Sequence, residues 1–131
     1  YEQFKVGLLS SVEKVTRKIS SSTDSKKIKN IFNRDWDDYL IVDGPLAFDN
    51  AISMESVIKK NIKSTVAGDV DALLVSHIDV GDALYKSFTY FADARVASLV
   101  LGAKFPIVLT SRADNKQNKL DSLLLALKVL N

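Results

Sequence analysis

Residues 39–53 read Tyr-Leu-Ile-Val-Asp-Gly-Pro-Leu-Ala-Phe-Asp-Asn-Ala-Ile-Ser, and the first seven of them decide the fold class. Tyr39-Leu40-Ile41-Val42 is apolar without polar alternation, which predicts a strand covered on both faces. Asp43-Gly44-Pro45 follows as a strong turn signal. Ser53, with Ser56 and Val57 behind it, opens a helix running to about Asn61. Working outward, Val6-Gly7-Leu8-Leu9 is a second apolar strand, followed by the polar stretch Ser10 to Ser25. Ser22, Thr23 and Asp24 are candidate N-caps for a helix on which Ile28, Ile31 and Phe32 recur at helical spacing. Ala72-Leu73-Leu74-Val75 is a third strand ending near Ser76-His77, and a helix over 82–93 places Leu84, Phe88 and Phe91 on one face.

Val96 to Leu101 and Phe105 to Thr110 read as two further strands separated by Gly102-Ala103-Lys104. The last helix has Asp114 as its cap and Gln117 completing a capping box. Leu120, Leu123, Leu124 and Leu127 follow at i, i+3, i+4 and i+7. Apolar strands alternating with helices define an α/β class with a mostly parallel sheet. Ligands in such sheets gather beyond the carboxyl ends of strands. That rule singles out Asp43-Gly44, Ser76-His77-Ile78-Asp79 and Thr110-Ser111-Arg112.

Composition narrows the function classes. Val, Leu, Ile and Phe make up about a third of the 131 residues, enough for a packed core. The longest nearly uncharged apolar run, Val96 to Ala103, falls far short of the ~20 residues that span a bilayer. No basic segment followed by an apolar one opens the chain, so nothing suggests secretion. With no Cys and one His, His77, a disulfide scaffold, a Cys nucleophile and an ordinary zinc or iron–sulfur site are excluded. The chain starts at Tyr1, not Met, and enters apolar sequence almost at once, as a fragment would.

The formal charge of +2 conceals a basic first quarter, an acidic middle and a basic end. The basic ends could attract anions. Yet the Lys26-Lys27-x-Lys29 run reads as the solvated face of a helix, and no aromatic residues interleave with it as nucleic-acid stacking requires. Nucleic acid is therefore not an expected partner. Neither G-x-G-x-x-G nor a Walker loop can be written with five scattered glycines. Asp35-Trp36-Asp37-Asp38 lacks calcium-loop spacing and reads as a solvated turn.

Thr110-Ser111-Arg112-Ala113-Asp114 links an apolar strand to a capped helix, where backbone N–H groups and the positive dipole end favour an anion. The Arg112 guanidinium adds paired donors that match phosphate oxygens. A capped loop with an exposed Arg is the plainer alternative. Ser111, His77 and Asp79 could be imagined as a hydrolase triad, but the G-x-S-x-G elbow is missing. The aromatic-rich stretch of Tyr85, Phe88, Tyr90 and Phe91 is read as core packing, with the Tyr hydroxyls reaching a polar edge.

Four segments in order resemble the phosphate acyltransferases, the family of phosphate acetyltransferases and phosphate butyryltransferases. They are Lys5 to Val15, Val42 to Ser53, Ala72 to Ser87 and Leu101 to Asp114. The second closely resembles the segment usually written DGPLAFDNA in the butyryl branch. The third resembles a strand followed by the family's G-N-x-x-Y-K turn, and the fourth its final strand and Ser-Arg loop. Only the C-terminal part of the family is matched.

The resemblance implies a cytoplasmic enzyme converting acyl-CoA and phosphate into acyl phosphate and CoA, on short or branched acyl chains, since the S-R-A-D loop and the Pro45 context resemble the butyryl more than the acetyl branch. It implies no metal or redox cofactor, coenzyme A as substrate or product, and a homodimer. The implied fold is like that of isocitrate and isopropylmalate dehydrogenases, three-layered and here incomplete. Residues 1–110 would belong to the second domain, with 111–131 forming a cleft loop and a helix returning toward the first. Ser111 and Arg112 would be the catalytic pair holding the phosphoryl oxygens, while Asp43, Gly44, Gly81 and Lys86 would line the same cleft. Two positions depart from the family: Asn118 stands where the acetyl branch has a proposed Asp base, and Asp82 replaces the turn's usual Asn. The alternative is a non-catalytic CoA-binding or dimerising fragment. An oxidoreductase of the shared fold is disfavoured, because its acidic metal cluster and nicotinamide loop are not written here.

Overall fold

The computed structural model describes residues 3–35 and 39–130. Its elements run β1 (Phe4–Leu9), α1 (Ser20–Asp35), β2 (Leu40–Leu46), α2 (Phe48–Ile52), α3 (Met54–Lys60), β3 (Ala72–Leu74), α4 (Ile78–Phe91) and α5 (Lys116–Leu130). Two compact units divide the chain, Tyr1–Gly81 and Asp82–Asn131. Most of the acidic Asp35-Trp36-Asp37-Asp38 cluster lies outside the described residues.

The first unit is a three-stranded, all-parallel sheet in the order β2-β1-β3, within a three-layer-like α/β arrangement. Parallel strands need a crossover between them, and α1 and the α2–α3 pair supply the two. Gly7 faces Val70, Leu73 and Leu46, beside a core of Leu46, Ala51, Val57, Val66 and Ala67. Leu8, the next residue, faces oppositely and lies with Ser21, Ser25 and Ile28 of α1 along one cavity. Complete burial of a leucine such as Leu8 stabilises the fold by about 2 kcal/mol.

The structure differs from the sequence reading at β2, at α1 and at α2. Asp43-Gly44-Pro45 does not end β2; the strand continues to Leu46 through a cis Gly44–Pro45 bond, with a register shift against Gly7 and Leu9. Here the chain approaches β1 so closely that a Cβ on Gly44 would sit 2.6 Å from Leu8 Cβ and 2.8 Å from its carbonyl oxygen. Helix α1 begins at Ser20, ahead of the expected caps, because its serines bond back to the backbone: Ser22 Oγ donates to Ile19 O at 2.8 Å and Ser25 Oγ to Ser21 O at 2.7 Å. Helix α2 was not anticipated at all; five residues give too little periodicity to read. Helix α3 matches its expected span, with the Ser53 side chain accepting from Ser56 N and Asn61 in the left-handed conformation.

In the second unit the two strands expected over 96–101 and 105–110 do not form. The segment is extended, but a single antiparallel bridge, Val100 to Ile107, joins its arms around Gly102. Extended sequence becomes a ladder only when a neighbour takes its backbone groups, and here α5 takes them instead. Val96 N donates to Asn118 Oδ1 at 3.3 Å and Ser98 N to Ser122 Oγ at 3.0 Å. Arg95 adds a two-pronged pair with Asp121 at 2.6 and 2.7 Å.

Helix α5 consequently buries Asn118, Ser122 and Ala126, while the expected Leu stripe of Leu120, Leu123, Leu124 and Leu127 is about half exposed. Small and polar residues at i, i+4 and i+8 let the helix approach the extended segment; the bulkier leucines lie off that line. Helix α4 starts at Ile78, four residues before the expected Asp82, as the His77 carbonyl accepts from Val80 and Gly81. Its Phe88 and Phe91 are exposed rather than core. Among the described residues no helix is long and apolar enough to cross a membrane.

Candidate functional site

The loop after residue 110 is built from its own short-range hydrogen bonds. Asn115, not Asp114, caps α5: Asn115 Oδ1 accepts from Asn118 N at 2.8 Å. Asp114 is thereby released for the loop. Its Oδ2 accepts the Ser111 backbone N–H at 2.7 Å, and its own N–H donates to Ser111 O at 3.1 Å. The other oxygen, Oδ1, accepts the Tyr85 hydroxyl from α4. Donation into that carboxylate pushes the Tyr85 phenol up to about 12, with desolvation adding to it. Tyr85 is therefore a donor throughout the working pH range.

Ser111 and Arg112 are both exposed. Ala113 N donates to Ser111 Oγ at 3.3 Å, which leaves the hydroxyl proton for another acceptor. No ion pair engages Arg112 among the described residues. A cavity of about 160 Å³ lies against the loop, lined by Tyr85, Lys86, Ser111, Asp114, Asn115 and Asn118. Lys86 and Ser111 thus meet at one cavity. Lys86 Nζ also pairs with Asp82 one turn back at 2.7 Å, so this acid is matched by a cation. Asn118 is buried, its side-chain Oδ1 accepting from Val96 N.

Asp43, Gly44 and Gly81 belong to the first unit. Asp43 is buried within β2 and accepts from Lys29 Nζ, from Gly44 N at 2.8 Å and from Thr65 N at 3.3 Å. Burial pushes this carboxyl up, but Lys29, the Ser64 hydroxyl and the Gly44 amide together outweigh it and hold the group below 3.8. Lys26 and Lys27 are exposed, as the basic run suggested, while the partly exposed Lys29 is also tied to the sheet. An open cavity of about 600 Å³ beside this pair is lined by Lys29, Asp43, Lys63 and Thr65. Gly81 lies within α4, where a Cβ would stand 3.2 Å from Val75 Cγ2.

A second polar cluster in the same unit escaped the sequence reading. Asn50, fully buried, donates to Glu13 Oε1 at 2.5 Å and accepts from Ser56 Oγ at 2.9 Å. Lys60 reaches Glu13 at 3.2 Å and Asp49 at 2.7 Å. The cluster ties the loop after β1 to α2 and α3. Its partners lie 37 and 47 positions apart, a pairing no local motif announces.

A parallel α/β unit is thus followed along the chain by a Ser-Arg loop that exposes a hydroxyl proton and a guanidinium with no ion pair among the described residues. The family model described as phosphate acetyl/butaryl transferase matches residues 1–127, and the chain belongs to that family. It is 46% identical over 123 residues to a probable phosphate butyryltransferase of Bacillus subtilis, a match covering 94% of this chain and 41% of that protein. It is 42% identical over 130 residues to a phosphate acetyltransferase of Rickettsia felis, covering 99% and 37%. A crystal structure of a branched-chain phosphotransacylase from Enterococcus faecalis superposes with a TM-score of 0.87 at 40% identity, over 98% of this chain and 46% of that one. The chain therefore spans about two fifths of the length of the curated relatives it matches.

Proposed function

We propose that this chain is the phosphoryl-binding part of a phosphate acyltransferase, catalysing acyl-CoA + phosphate ⇌ acyl phosphate + CoA on short or branched acyl groups. The observation that carries the reading is the Ser111-Arg112 loop, with its available hydroxyl proton and a guanidinium that has no ion pair among the described residues, inside a chain matched along residues 1–127. From acyl phosphate, the CoA thiolate attacks the acyl carbonyl and phosphate leaves; the reverse reaction sets phosphate oxygen against the thioester. With acyl phosphate, negative charge builds on the departing phosphate oxygen; with acyl-CoA it passes from the attacking phosphate oxygen through the carbonyl oxygen to the leaving thiolate, and at the shared transition state Arg112 and the Ser111 hydroxyl hold the phosphoryl oxygens. An unperturbed thiol titrates near ~8.5, so little base assistance is required at neutral pH.

Within this reading, coenzyme A is substrate or product and no metal or redox cofactor takes part. Asp43, Gly44, Gly81 and Lys86 take part in binding the substrates, Lys86 from the cavity that it shares with Ser111. Residues 1–110 belong to the second domain of a fold like that of isocitrate and isopropylmalate dehydrogenases. The loop and helix 111–131 return toward the remaining domain, against which the exposed leucines of α5 pack. The working enzyme is a cytoplasmic homodimer. Phosphate-dependent thiol release by the complete gene product, with acetyl-, butyryl- and isobutyryl-CoA in parallel, tests this; no release from folded protein with any of them rejects it.

The second reading is favoured by one observation, the 41% share of its relative's length. The 131 residues alone bind CoA weakly and turn nothing over. Calorimetry on residues 1–131 that shows CoA binding without thiol release supports it, whereas turnover by this piece alone rejects it.

A further inference from the structure

The Ser-Arg loop carries a carboxylate of its own, three residues from the hydroxyl that the anion would meet. A bare carboxylate there repels a phosphoryl group and competes for the same donors. In this structure both of its oxygens are engaged: Oδ2 by the Ser111 backbone N–H at 2.7 Å, Oδ1 by the Tyr85 hydroxyl. Resting on the phosphoryl-binding reading above, we infer that Tyr85 and Asp114 form a latch, two positioning residues that set the Ser111-Arg112 loop from α4.

The latch does two things. It turns the Ser111 backbone N–H inward, so that Ser111 meets an anion through its side chain. It also closes the turn that brings Ala113 N to Ser111 Oγ at 3.3 Å, which orients the hydroxyl proton away from the loop. Tyr85 belongs to α4, whose register therefore controls the loop, and Lys86, its neighbour, lines the same cavity as Ser111. The phenol at about 12 remains a donor at any pH where the protein works. Neither residue needs to touch substrate for this to hold.

Two variants, Tyr85→Phe and Asp114→Ala, test the latch in two independent ways. The first readout is hydrogen exchange at the Ser111 amide, which requires no turnover. Exchange about tenfold faster in D114A than in the unaltered chain supports the latch, the size expected for losing one charge-assisted hydrogen bond. Equal rates overturn it.

The second readout is the steady-state kinetics of the complete gene product. Y85F should raise KM for phosphate about tenfold while KM for acyl-CoA stays within about twofold, because only the phosphoryl side is mispositioned. The double variant should be no worse than D114A alone, since the two residues act through one carboxylate. An unchanged KM for phosphate in folded Y85F, or strictly additive losses, overturns the positioning role. Should D114A fail to fold, Y85F decides alone, as it removes one oxygen and leaves the Ser111 acceptor in place. If the unaltered protein releases no CoA, the acyltransferase reading falls, and the exchange rates still judge the latch.

Discussion

The two units hold extended chain in opposite ways. In Tyr1–Gly81, β1 lies between two parallel neighbours, and its middle residues Gly7 and Leu8 are buried against side chains on either face. In Asp82–Asn131, the segment from Val96 to Thr110 has one bridge, and side chains of α5 hold the amides of Val96 and Ser98. A ladder shares its load among many backbone bonds and a packed core. Side-chain tethers concentrate it on a few residues. Substitutions in the first unit should therefore act through sterics and burial, and those in the second through single polar partners or through function alone.

The sharpest way to break this contrast is Gly44→Ala. The added methyl meets the Leu8 backbone and Cβ, so about 3 kcal/mol of stability should be lost in urea unfolding. A loss under about 1 kcal/mol would show that β2 can shift away from β1. Next comes Arg112→Ala, where activity in the complete protein should fall about a hundredfold while stability changes by less than about 0.5 kcal/mol. Parallel loss of activity and thermal stability would make Arg112 a structural residue.

Asp43→Asn should cost about 2 kcal/mol at neutral pH, because Lys29 loses its charged partner at a buried position. The sign with pH follows from the depressed carboxyl. Its contribution is complete above the unfolded value of 3.8 and is lost as pH falls through the lower folded value. The gap between D43N and the unaltered chain should therefore close on acidification, as urea midpoints measured from neutral to strongly acid pH would show. Ser122→Ala should cost about 1.5 kcal/mol by leaving the Ser98 amide without its acceptor. Smallest of the set, Gly102→Ala should cost about 1 kcal/mol, since nothing lies within 4 Å and only its φ of 102° resists a side chain. A Gly102 effect as large as that at Gly44 would erase the distinction between the units.

Much of the first unit was legible because its signals are local. Tyr39 to Val42 and Ala72 to Val75 are apolar runs, and Ser53 with Asn61 brackets a helix by its own cap chemistry. The ends were less legible: strand β2 passes through a Gly-Pro pair because Leu8, 36 positions earlier, lies against Gly44. In the second unit the apolar pattern misled twice. It suggested strands where α5 supplies the hydrogen bonds, and it suggested that α5 buries leucines where Asn118, Ser122 and Ala126 make the contact. The loop residues Ser111 and Arg112 were singled out from spacing and resemblance. Tyr85 was taken for core and Asp114 for a cap, because their bond spans 29 positions.

The pairing of Arg95 with Asp121 also closes a loop of 26 positions. In the polymer picture, bringing the ends of such a loop together costs about 3 kcal/mol, which the tethers along α5 must offset. That cost grows only logarithmically with length. Adding six residues at the Gly102 bend, which faces open space, would raise it by only about 0.2 kcal/mol. The bend at Gly102 is thus where this chain can accept new sequence, such as a peptide tag or a reporter segment, while the Ser-Arg loop a few residues away keeps its geometry.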